Sequence, residues 1–400
     1  MTVKTGEEYC GEHMLNSDNN SFDELNKNLR VVCPLDRKHT CYAHKLSKHL
    51  KICNARQKDN VPYVVRGINC GEVIPETDGE SQLNSQSLDT YKVEEIKAVI
   101  EKVVKLHDDV LKINIIEKVL KHPLLEQEIR KPELGDKSKK HLYQTSSLLG
   151  YLKEYDLLKP DTCFIEFGAG KGKLSFWMAN ALEGINNSVV LLIEKASLRH
   201  KMDNKLDKSS GKIHRIRVDI GDLVLRHVQV LNTIKGIVAV TKHLCGDATD
   251  LALRCIKDYQ DTGNKVSGLV MAFCCHHRCQ WRAYTGKDFF NKNNLSRKDF
   301  DIMRGMVSWA TCGTGFSREK NSEIDAEFYR NNLESSSERD KQIGLNRQEK
   351  EMVGKKCKAL LNYGRLKYLE SIGFKCELCF YVSPSVSLEN LCIVAYMENK

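Results

Sequence analysis

The stretch Thr162–Ala179, TCFIEFGAGKGKLSFWMA, joins a short apolar run to a helical run through a cluster of glycines. The apolar run, Cys163–Phe167, has the length of a buried strand, and Lys173–Leu182 has helical periodicity. Between them lie Gly168, Gly170 and Gly172. Glycines let the backbone turn tightly and approach a ligand, and a helix start offers unpaired N–H groups. The stretch therefore predicts a nucleotide-binding site between a strand and a helix.

The glycine spacing indicates which kind of nucleotide binds. Dinucleotide loops have the spacing G-x-G-x-x-G, whereas this loop reads G-x-G-x-G, with Glu166 two residues before the first glycine. This form resembles motif I of class I S-adenosylmethionine (AdoMet) methyltransferases, in which the loop contacts the methionine moiety. The alternative is an ordinary strand-to-helix connection whose glycines serve packing alone.

Acidic residues at the ends of the next two predicted strands complete the expected cofactor site. Glu194 ends the second strand, where an acidic residue binds ribose hydroxyls about 20 residues past such a loop. Asp219 closes the third strand, where such enzymes often read the adenine, and Asp222 is a nearby competitor. The predicted cofactor-binding residues are Glu166, Gly168, Gly170, Gly172, Glu194 and Asp219.

The composition is that of a soluble protein with a mild excess of positive charge. The 400 residues include 62 Lys and Arg against 53 Asp and Glu, a net charge of +9, which is compatible with nucleic-acid binding. We find no apolar run of membrane-spanning length and no secretory start, so we expect an intracellular protein of the cytoplasm or nucleus. In a reducing compartment its 16 cysteines indicate metal binding, catalysis or small buried side chains.

Cysteines and histidines near the amino terminus have the spacing C-x5-H-x9-H-x3-C, which suits a tetrahedral structural zinc ion. The second pair falls on a predicted helix, Ala43–Cys53, where a separation of four places both ligands on one face. Cys41 and His44 lie between the pairs and are alternative ligands. The predicted zinc ligands are Cys33, His39, His49 and Cys53. This spacing resembles the CHHC finger of some RNA-processing proteins, and the candidate phosphate contacts are Arg37, Lys38, Lys45, Lys48 and Lys51.

Composition divides the rest of the chain. The segment YCGEH at 9–13 resembles the tail of a CCCH-type finger, but Cys10 and His13 alone cannot complete a tetrahedral site. We therefore predict a finger remnant without metal at 1–25, the CHHC finger at 26–57 and a polar linker at 58–90. A methyltransferase domain is predicted at 91–400, with a charged, poorly periodic insertion at about 285–356.

Within 91–400, strands and helices alternate as in an α/β protein with a doubly wound, mostly parallel sheet. Two or three helices are expected within Tyr91–Ile129, and another leads into the first strand. The seven predicted strands are Cys163–Phe167, Val189–Glu194, Ile213–Val218, Gly236–Thr241, Val266–Phe273, Phe374–Val382 and Asn390–Tyr396. This layout fits the class I, Rossmann-like methyltransferase fold.

Two polar loops follow the fourth and fifth strands, where ligands bind in open α/β sheets. The candidates for deprotonating an acceptor or stabilising its oxygen are Lys242, His243, His276 and His277. The cluster Cys274, Cys275, His276, His277 and Cys279 is alternatively a second zinc site or a packed polar wall. Adjacent cysteines fit one tetrahedral ion poorly because neighbouring side chains diverge. Cys376 and Cys379, three apart within a strand, are expected on opposite faces as core residues.

Five segments, in this order, resemble the tRNA:m4X modification enzymes: CPLDRKH, HLKIC, FIEFGAGKGKLS, KHLCGDATDLALR and FCCHHRCQW. The resemblance covers nearly the whole chain outside the linker and the charged insertion. It implies AdoMet-dependent methylation of the ribose 2′-hydroxyl at position 4 of the acceptor stem of glycine, proline and histidine tRNAs. The family carries a complete CCCH finger, whereas only YCGEH is present here. The Lys–Asp–Lys–Glu set common among ribose methyltransferases does not align with this chain.

Two other functions stay open at the level of sequence. An RNA-binding protein with an inactive methyltransferase domain would be expected to have a broken cofactor loop, and this loop is intact. A methyltransferase acting on proteins or small molecules would be expected to lack an RNA-type finger. We therefore expect AdoMet and a structural zinc ion as cofactors, the tRNA acceptor stem as partner, and no membrane or obligate protein partner.

Overall fold

The computed structural model describes residues 29–35, 37, 39–53, 56, 61–71, 88–111, 115–196, 212–312 and 338–398. Its contacts divide the chain into two compact units, 1–61 with 196–198, and 62–195 with 199–400. The predicted finger remnant, 1–25, lies outside the described residues.

The first unit contains a short antiparallel hairpin and one helix. Strands β1, Arg30–Val32, and β2, Thr40–Tyr42, pair directly, and helix α1, Leu46–Ile52, follows a turn of 3₁₀ helix, Ala43–Lys45. The Arg30 guanidinium donates from Nε to Thr40 Oγ1 at 2.9 Å and from Nη2 to the Thr40 carbonyl oxygen at 2.9 Å, which links the two strands. The helix confirms the prediction for this segment, and the hairpin was not predicted.

The second unit is built on one sheet, which has eight strands among the described residues. These are β3 Ile115–Glu117, β4 Thr162–Phe167, β5 Val189–Glu194, β6 Ile213–Arg217, β7 Gly236–Cys245, β8 Val266–Cys274, β9 Lys375–Phe380 and β10 Leu391–Tyr396. Their spatial order is β3-β9-β10-β8-β7-β4-β5-β6, and β10 runs antiparallel to both of its neighbours. All seven predicted strands are present. The edge strand β3 was missed because three residues are too short to show an alternating pattern.

Helices cover the sheet. Those described in this unit are α2 Val93–Val110, α3 Glu126–Arg130, α4 Asp136–Glu154, α5 Lys173–Ala181, α6 Asp247–Asp261, α7 Lys287–Lys292, α8 Arg297–Met306, α9 Trp309–Cys312, α10 Glu338–Ile343 and α11 Arg347–Ser371. The predicted periodicity of α2 is confirmed by its buried face, Ile96, Val99 and Val103. No described helix is long and apolar enough to cross a membrane.

The sheet separates two apolar layers. In the central strand β4, Cys163, Ile165 and Phe167 pack in one layer, while Phe164 packs in the other. A strand buried on both faces is typical of parallel sheets covered by helices. In β9, Cys376 contacts the first layer and Cys379 belongs to the second, which confirms that these cysteines face opposite sides.

The first part of the predicted linker, 58–90, is not a free connection. Val64 forms an isolated antiparallel bridge with Leu223. The buried Asn69 side chain donates from Nδ2 to the carbonyl oxygens of Ile220 at 2.6 Å and Leu223 at 2.8 Å. Polar composition suggested a linker, but here the polar side chain satisfies backbone groups of the second unit.

The charged segment predicted as a poorly periodic insertion, about 285–356, contributes to the core where it is described. Helices α7 and α8 bury Phe290, Phe300 and Met303. Ser296 begins α8 as a capping box with Asp299, each side chain accepting from the other residue's backbone N–H. The buried positions were hidden in the sequence by charged neighbours, and residues 313–337 lie outside the described residues.

Candidate active site and metal centre

The loop between β4 and α5 has three glycines in left-handed conformations. The φ angles of Gly168, Gly170 and Gly172 are +67°, +52° and +75°, and Gly172 is the residue before the first turn of α5. Such angles strain residues that carry a Cβ. At Gly168 a Cβ would also lie 2.9 Å from Leu244 Cδ1, so the Leu244 side chain would have to shift to admit a larger residue.

Two charged side chains hold the middle of this loop. The Gly170 backbone N–H donates to Glu194 Oε2 at 2.8 Å, and the Gly170 carbonyl oxygen accepts from Arg215 Nη1 at 3.1 Å. Side chains of the neighbouring strands β5 and β6 therefore hold the Gly170 backbone in place. Sequence reasoning missed Arg215 because an arginine inside an edge strand gives no motif.

Asp219 and Asp222, the two competitors after β6, have different roles. Asp219 accepts the Gly221 backbone N–H at 3.0 Å and pairs with Lys195 Nζ at 2.5 Å. Asp222 instead accepts the backbone N–H of Gly67 at 2.8 Å. Asp222 therefore anchors the 61–71 segment, which leaves Asp219 as the candidate for contact with a cofactor.

A cleft opens beside the glycine loop at the carboxyl ends of the central strands. The described residues that line it are Gly168, Ile193, Glu194, Lys195, Asp219, Ile220, His243, Leu244, Cys245, Ala248 and Leu251. The structure thereby brings together predicted cofactor residues from three strand ends and one predicted catalytic residue, His243. Its apolar lining beside Glu194 and Asp219 suits an adenosine, whose base is flat and whose ribose offers hydroxyl donors.

Glu166 lies beneath the loop. Its side chain is 5% exposed and accepts two hydrogen bonds from Ser175, from the backbone N–H at 2.9 Å and from the hydroxyl. Burial raises the pKa of Glu166 to about 7, opposed by the Ser175 hydrogen bond and by the positive charge of Lys242. Glu166 therefore links β4 to the first turn of α5 and so fixes the two ends of the glycine loop.

Strand β7 carries a β-bulge at the two leading acceptor-side candidates. Between Thr241 and Leu244 this strand has one residue more than β8 has between the paired positions Met271 and Phe273. Bulges turn side chains away from the regular alternation and are frequent beside active sites. The two bulge residues are Lys242 and His243, and the first is buried whereas the second is exposed.

Lys242 is buried against helix α4. Its Nζ donates to Thr145 Oγ1 at 3.3 Å and to the His141 carbonyl oxygen at 3.4 Å. Burial lowers the pKa of Lys242 to about 8, opposed by the nearby Glu166 carboxylate. At neutral pH Lys242 is therefore predominantly a cation, with the Glu166 carboxyl group as an acidic neighbour.

His243 lines the cleft, and its ring lies 6.1 Å from the His141 ring between centroids. Solvent reaches this side chain, yet the surrounding protein displaces much of its hydration. That loss of hydration, with the Lys242 charge, lowers the pKa of His243 to about 4. The imidazole is therefore neutral at neutral pH and can accept a proton.

The other predicted pair, His276 and His277, does not line this cleft among the described residues. His276 is 2% exposed, and its Nε2 lies 3.1 Å from Asn362 Oδ1. Burial and the nearby Arg365 charge lower its pKa well below the usual value. His276 belongs to an interior polar cluster, and His277 is exposed on the surface. Their assignment to acceptor chemistry is not supported by this placement.

The four predicted zinc ligands converge in the first unit. Cys33 Sγ lies 3.7 Å from Cys53 Sγ and 3.1 Å from His49 Nε2, and His39 Nε2 lies 3.1 Å from His49 Nε2 and 3.5 Å from Cys53 Sγ. Tetrahedral zinc with bonds of about 2.0–2.3 Å places its ligand atoms roughly 3.3–3.8 Å apart. The donor set therefore fits zinc, and among the described residues Cys41 and His44 are outside it.

The geometry identifies the class of protein. A sheet with one antiparallel strand, β10, between β9 and β8, a glycine loop after the central strand, and acidic residues ending the next two strands define a Rossmann-like, class I methyltransferase. The family model "Methyltransferase TRM13" matches residues 143–396, and the U11-48K-like CHHC zinc finger model matches residues 30–54. The chain belongs to the TRM13 methyltransferase family and carries a CHHC zinc finger.

Full-length relatives agree with this placement. The chain is 35% identical to the mouse tRNA:m(4)X modification enzyme TRM13 homolog, over 99% of this chain and 91% of that protein. It is 33% identical to the Schizosaccharomyces pombe tRNA:m(4)X modification enzyme TRM13, over 92% and 95% of the two chains. Among solved structures, the plantazolicin methyltransferase BpumL is 10% identical with a TM-score of 0.32, over 77% of this chain and 100% of that chain.

Proposed function

We propose that this protein is an AdoMet-dependent tRNA methyltransferase that modifies the ribose 2′-hydroxyl at position 4 of the acceptor stem. The relatives that match its full length are named tRNA:m(4)X modification enzymes. The observation that carries the proposal is the cleft, where His243 from the β7 bulge lies with Gly168, Glu194 and Asp219. Its substrates are glycine, proline and histidine tRNAs.

The chain offers a place for each part of AdoMet. The glycine loop contacts the methionine moiety, Glu194 binds the ribose hydroxyls, and Asp219 binds the adenine. Bound AdoMet supplies an electrophilic methyl group on its sulfonium. The hydrogen bonds of the loop support this assignment, because Glu194 and Arg215 bind the Gly170 backbone and Glu166 binds the start of α5, which together fix the loop.

On the acceptor side, the bulge provides a proton acceptor and a cation. Neutral His243 accepts the proton of the ribose hydroxyl, while the Lys242 ammonium stabilises negative charge on that oxygen. The two residues are adjacent in sequence but differ in burial. The exposed His243 contacts the substrate, whereas the buried Lys242 acts by its charge, through an interior of low dielectric constant.

The zinc finger supplies RNA contact. The major groove of an RNA helix is deep and narrow, and protein side chains cannot reach the bases in it. Proteins therefore recognise the shape and the backbone of the helix. Arg37, Lys45, Lys48 and Lys51 are all exposed on the finger, and they are available to contact phosphates. Lys38, predicted with them, lies outside the described residues.

Methyl transfer from labelled AdoMet to unmodified glycine tRNA tests the proposal. The matched substrate carries a 2′-deoxy sugar at position 4. Label in the first tRNA and none in the second is the expected result, and His243→Ala should reduce the label far more than it weakens AdoMet binding. Equal label in both tRNAs would place the acceptor elsewhere. AdoMet binding without any transfer would favour an RNA-binding protein with an inactive domain.

A further inference from the structure

Three cysteines meet beside the cleft, in the second unit. Cys245 ends β7, Cys274 ends β8 and Cys275 follows it. The three sulfur atoms lie within 4.8 Å of one another, and Cys245 Sγ is 3.0 Å from Cys274 Sγ. Cys279, His276 and His277, which the sequence pattern grouped with Cys274 and Cys275, are not in this cluster.

The backbone explains how two adjacent cysteines reach a common point. Cys245 is directly paired with Cys274 across the two parallel strands. Cys275 has a φ angle of +50°, in the left-handed region that non-glycine residues rarely adopt. Side chains of neighbouring residues diverge only while a strand continues, and at Cys275 the strand has ended. The left-handed turn returns its sulfur to the side of the other two.

A close approach of the two loops maintains this arrangement. Gly246, next to Cys245, has a φ angle of +59°, and a Cβ there would lie 2.7 Å from Arg278 Cβ. The Arg278 backbone N–H donates to the Cys275 carbonyl oxygen at 2.9 Å. The segment after β8 therefore folds back against the residue after β7, and only glycine fits between them.

We propose that Cys245, Cys274 and Cys275 bind a second zinc ion, distinct from that of the finger. Tetrahedral zinc–thiolate bonds of about 2.3 Å separate sulfur atoms by roughly 3.8 Å, which small side-chain rotations of these cysteines achieve. Each cysteine binds as its thiolate, so that any thiol still protonated releases its proton when zinc binds. Arg278, whose positive charge acts on Cys245, offsets the excess negative charge of three thiolates on one divalent ion.

The ligand set differs in kind from that of the finger. Three protein ligands leave one tetrahedral position for water or another small ligand, as in catalytic zinc sites, whereas the finger provides four. Cys245 also lines the cleft. The ion would therefore join the ends of β7 and β8 next to the place where the cofactor and acceptor meet. This inference does not depend on which RNA is the substrate.

Zinc content per chain, measured by elemental analysis of the purified full-length protein, tests the proposal. We expect about two zinc ions in the wild type, one in Cys245→Ser or Cys275→Ser, and two in the matched control Cys376→Ser. The double variant His49→Ala with Cys53→Ala leaves the finger only two ligands and should remove the finger ion alone. A wild-type content of one ion that disappears in this double variant would overturn the proposal. A Cys245–Cys274 disulfide found by peptide mapping of protein prepared without reductant and carrying one zinc ion would also overturn it.

Cobalt(II) provides a second measurement that does not rely on altering the cluster. In the double variant His49→Ala with Cys53→Ala all three cluster cysteines are intact, so that added cobalt should give an intense thiolate-to-metal charge-transfer band and tetrahedral d–d bands. The same spectrum should be absent when Cys275→Ser is added to this double variant. Cobalt spectra that are the same with and without Cys275 would show that the cluster does not bind the ion.

Discussion

Arg365 and Asp250 form a bidentate ion pair inside the second unit. Arg365 Nη2 lies 2.7 Å from Asp250 Oδ2, and Nε lies 3.1 Å from Oδ1, with both side chains at most 1% exposed. Asp250 also accepts from the backbone and the hydroxyl of Thr285 at 3.0 and 2.9 Å. The pair joins α6 to α11, so the last aspartate of the KHLCGDATD segment supports the fold and does not contact the cleft.

Removal of one partner of this pair should strongly destabilise the protein. Asp250→Asn leaves the Arg365 guanidinium buried without its counter-charge, and such changes cost about 3–5 kcal/mol. The measurement is the free energy of unfolding from urea denaturation. Glu398→Gln, which removes an exposed ion pair with Lys375, is the matched control and should cost less than about 1 kcal/mol.

The double variant Asp250→Asn with Arg365→Met sharpens that test. Because Arg365→Met removes the charge that Asp250→Asn leaves unpaired, the two losses of stability should not add, and the double variant should lose less than their sum. Additive losses would mean that the pair contributes nothing beyond the packing of its two side chains.

Gly170→Ala should weaken AdoMet binding with only a modest loss of stability. A Cβ at Gly170 meets no atom within 4 Å, but the φ angle of +52° strains alanine by about 1 kcal/mol. In the cofactor loop the added methyl group also occupies the ligand's approach. We expect AdoMet affinity, measured by calorimetry, to fall at least tenfold.

Gly184→Ala is a matched control for that substitution. Gly184 has a φ angle of +81° and equally open surroundings, but it lies after α5, outside the glycine loop. Its stability loss should equal that of Gly170→Ala, and AdoMet affinity should stay at the wild-type value. A similar loss of affinity in both variants would attribute the effect to general strain.

The pH dependence of methyl transfer should separate the roles of Lys242 and His243. Burial lowers the pKa of Lys242 to about 8, so the residue loses its charge as the pH rises through that value. Since we assign the charged form to stabilising the acceptor oxygen, kcat/KM should fall above about pH 8. With a pKa of about 4, His243 stays neutral down to about pH 5, and it should cause no decline near neutrality.

Lys242→Arg is the control for this profile because arginine remains charged throughout the range. The decline above pH 8 should disappear in that variant, whatever its absolute activity. A wild-type rate that instead rises through pH 8 would identify the neutral Lys242 amine as the proton acceptor and leave His243 a binding role.

Exposed lysines of the finger should contribute to tRNA binding through phosphate contacts. Lys48→Gln or Lys51→Gln should reduce the slope of log affinity against log salt by about 1, since each variant neutralises one phosphate fewer. Fluorescence anisotropy with labelled tRNA at several salt concentrations measures that slope. Lys131→Gln, an exposed lysine of the second unit, should leave the slope unchanged. An unchanged slope in both finger variants would remove these lysines from the RNA interface.

The sequence contained enough information for the sheet and the finger, since both depend on local patterns. Spacing alone predicted that Cys33, His39, His49 and Cys53 would meet, because a single ion restricts where ligands can lie along the chain. Apolar runs and glycines predicted β4 and its loop for a similar reason, since a strand buried on both faces is apolar throughout.

Contacts between distant segments were harder to predict. The supports of the cleft, Arg215 and Thr145, lie on an edge strand and inside a helix, where their residue types are unremarkable. The burial of His276 was not predicted for the same reason, because its hydrogen-bond partner Asn362 follows 86 residues later in the chain. Sequence placed His276 in a polar loop after β8, and only the packing of α11 shows that the loop turns into the interior.

The bulge in β7 makes the length of that strand matter as much as its residues. Removal of either Lys242 or His243 would restore regular pairing with β8 and shift the remaining bulge residue by one step. Leu244 and Cys245 would stay paired with Phe273 and Cys274 of β8. The one residue left between Thr241 and Leu244 could then face either the interior or the cleft, but not both. A buried cation and an exposed imidazole at adjacent positions therefore require the extra residue, and a single deletion here should abolish transfer even if the fold survives.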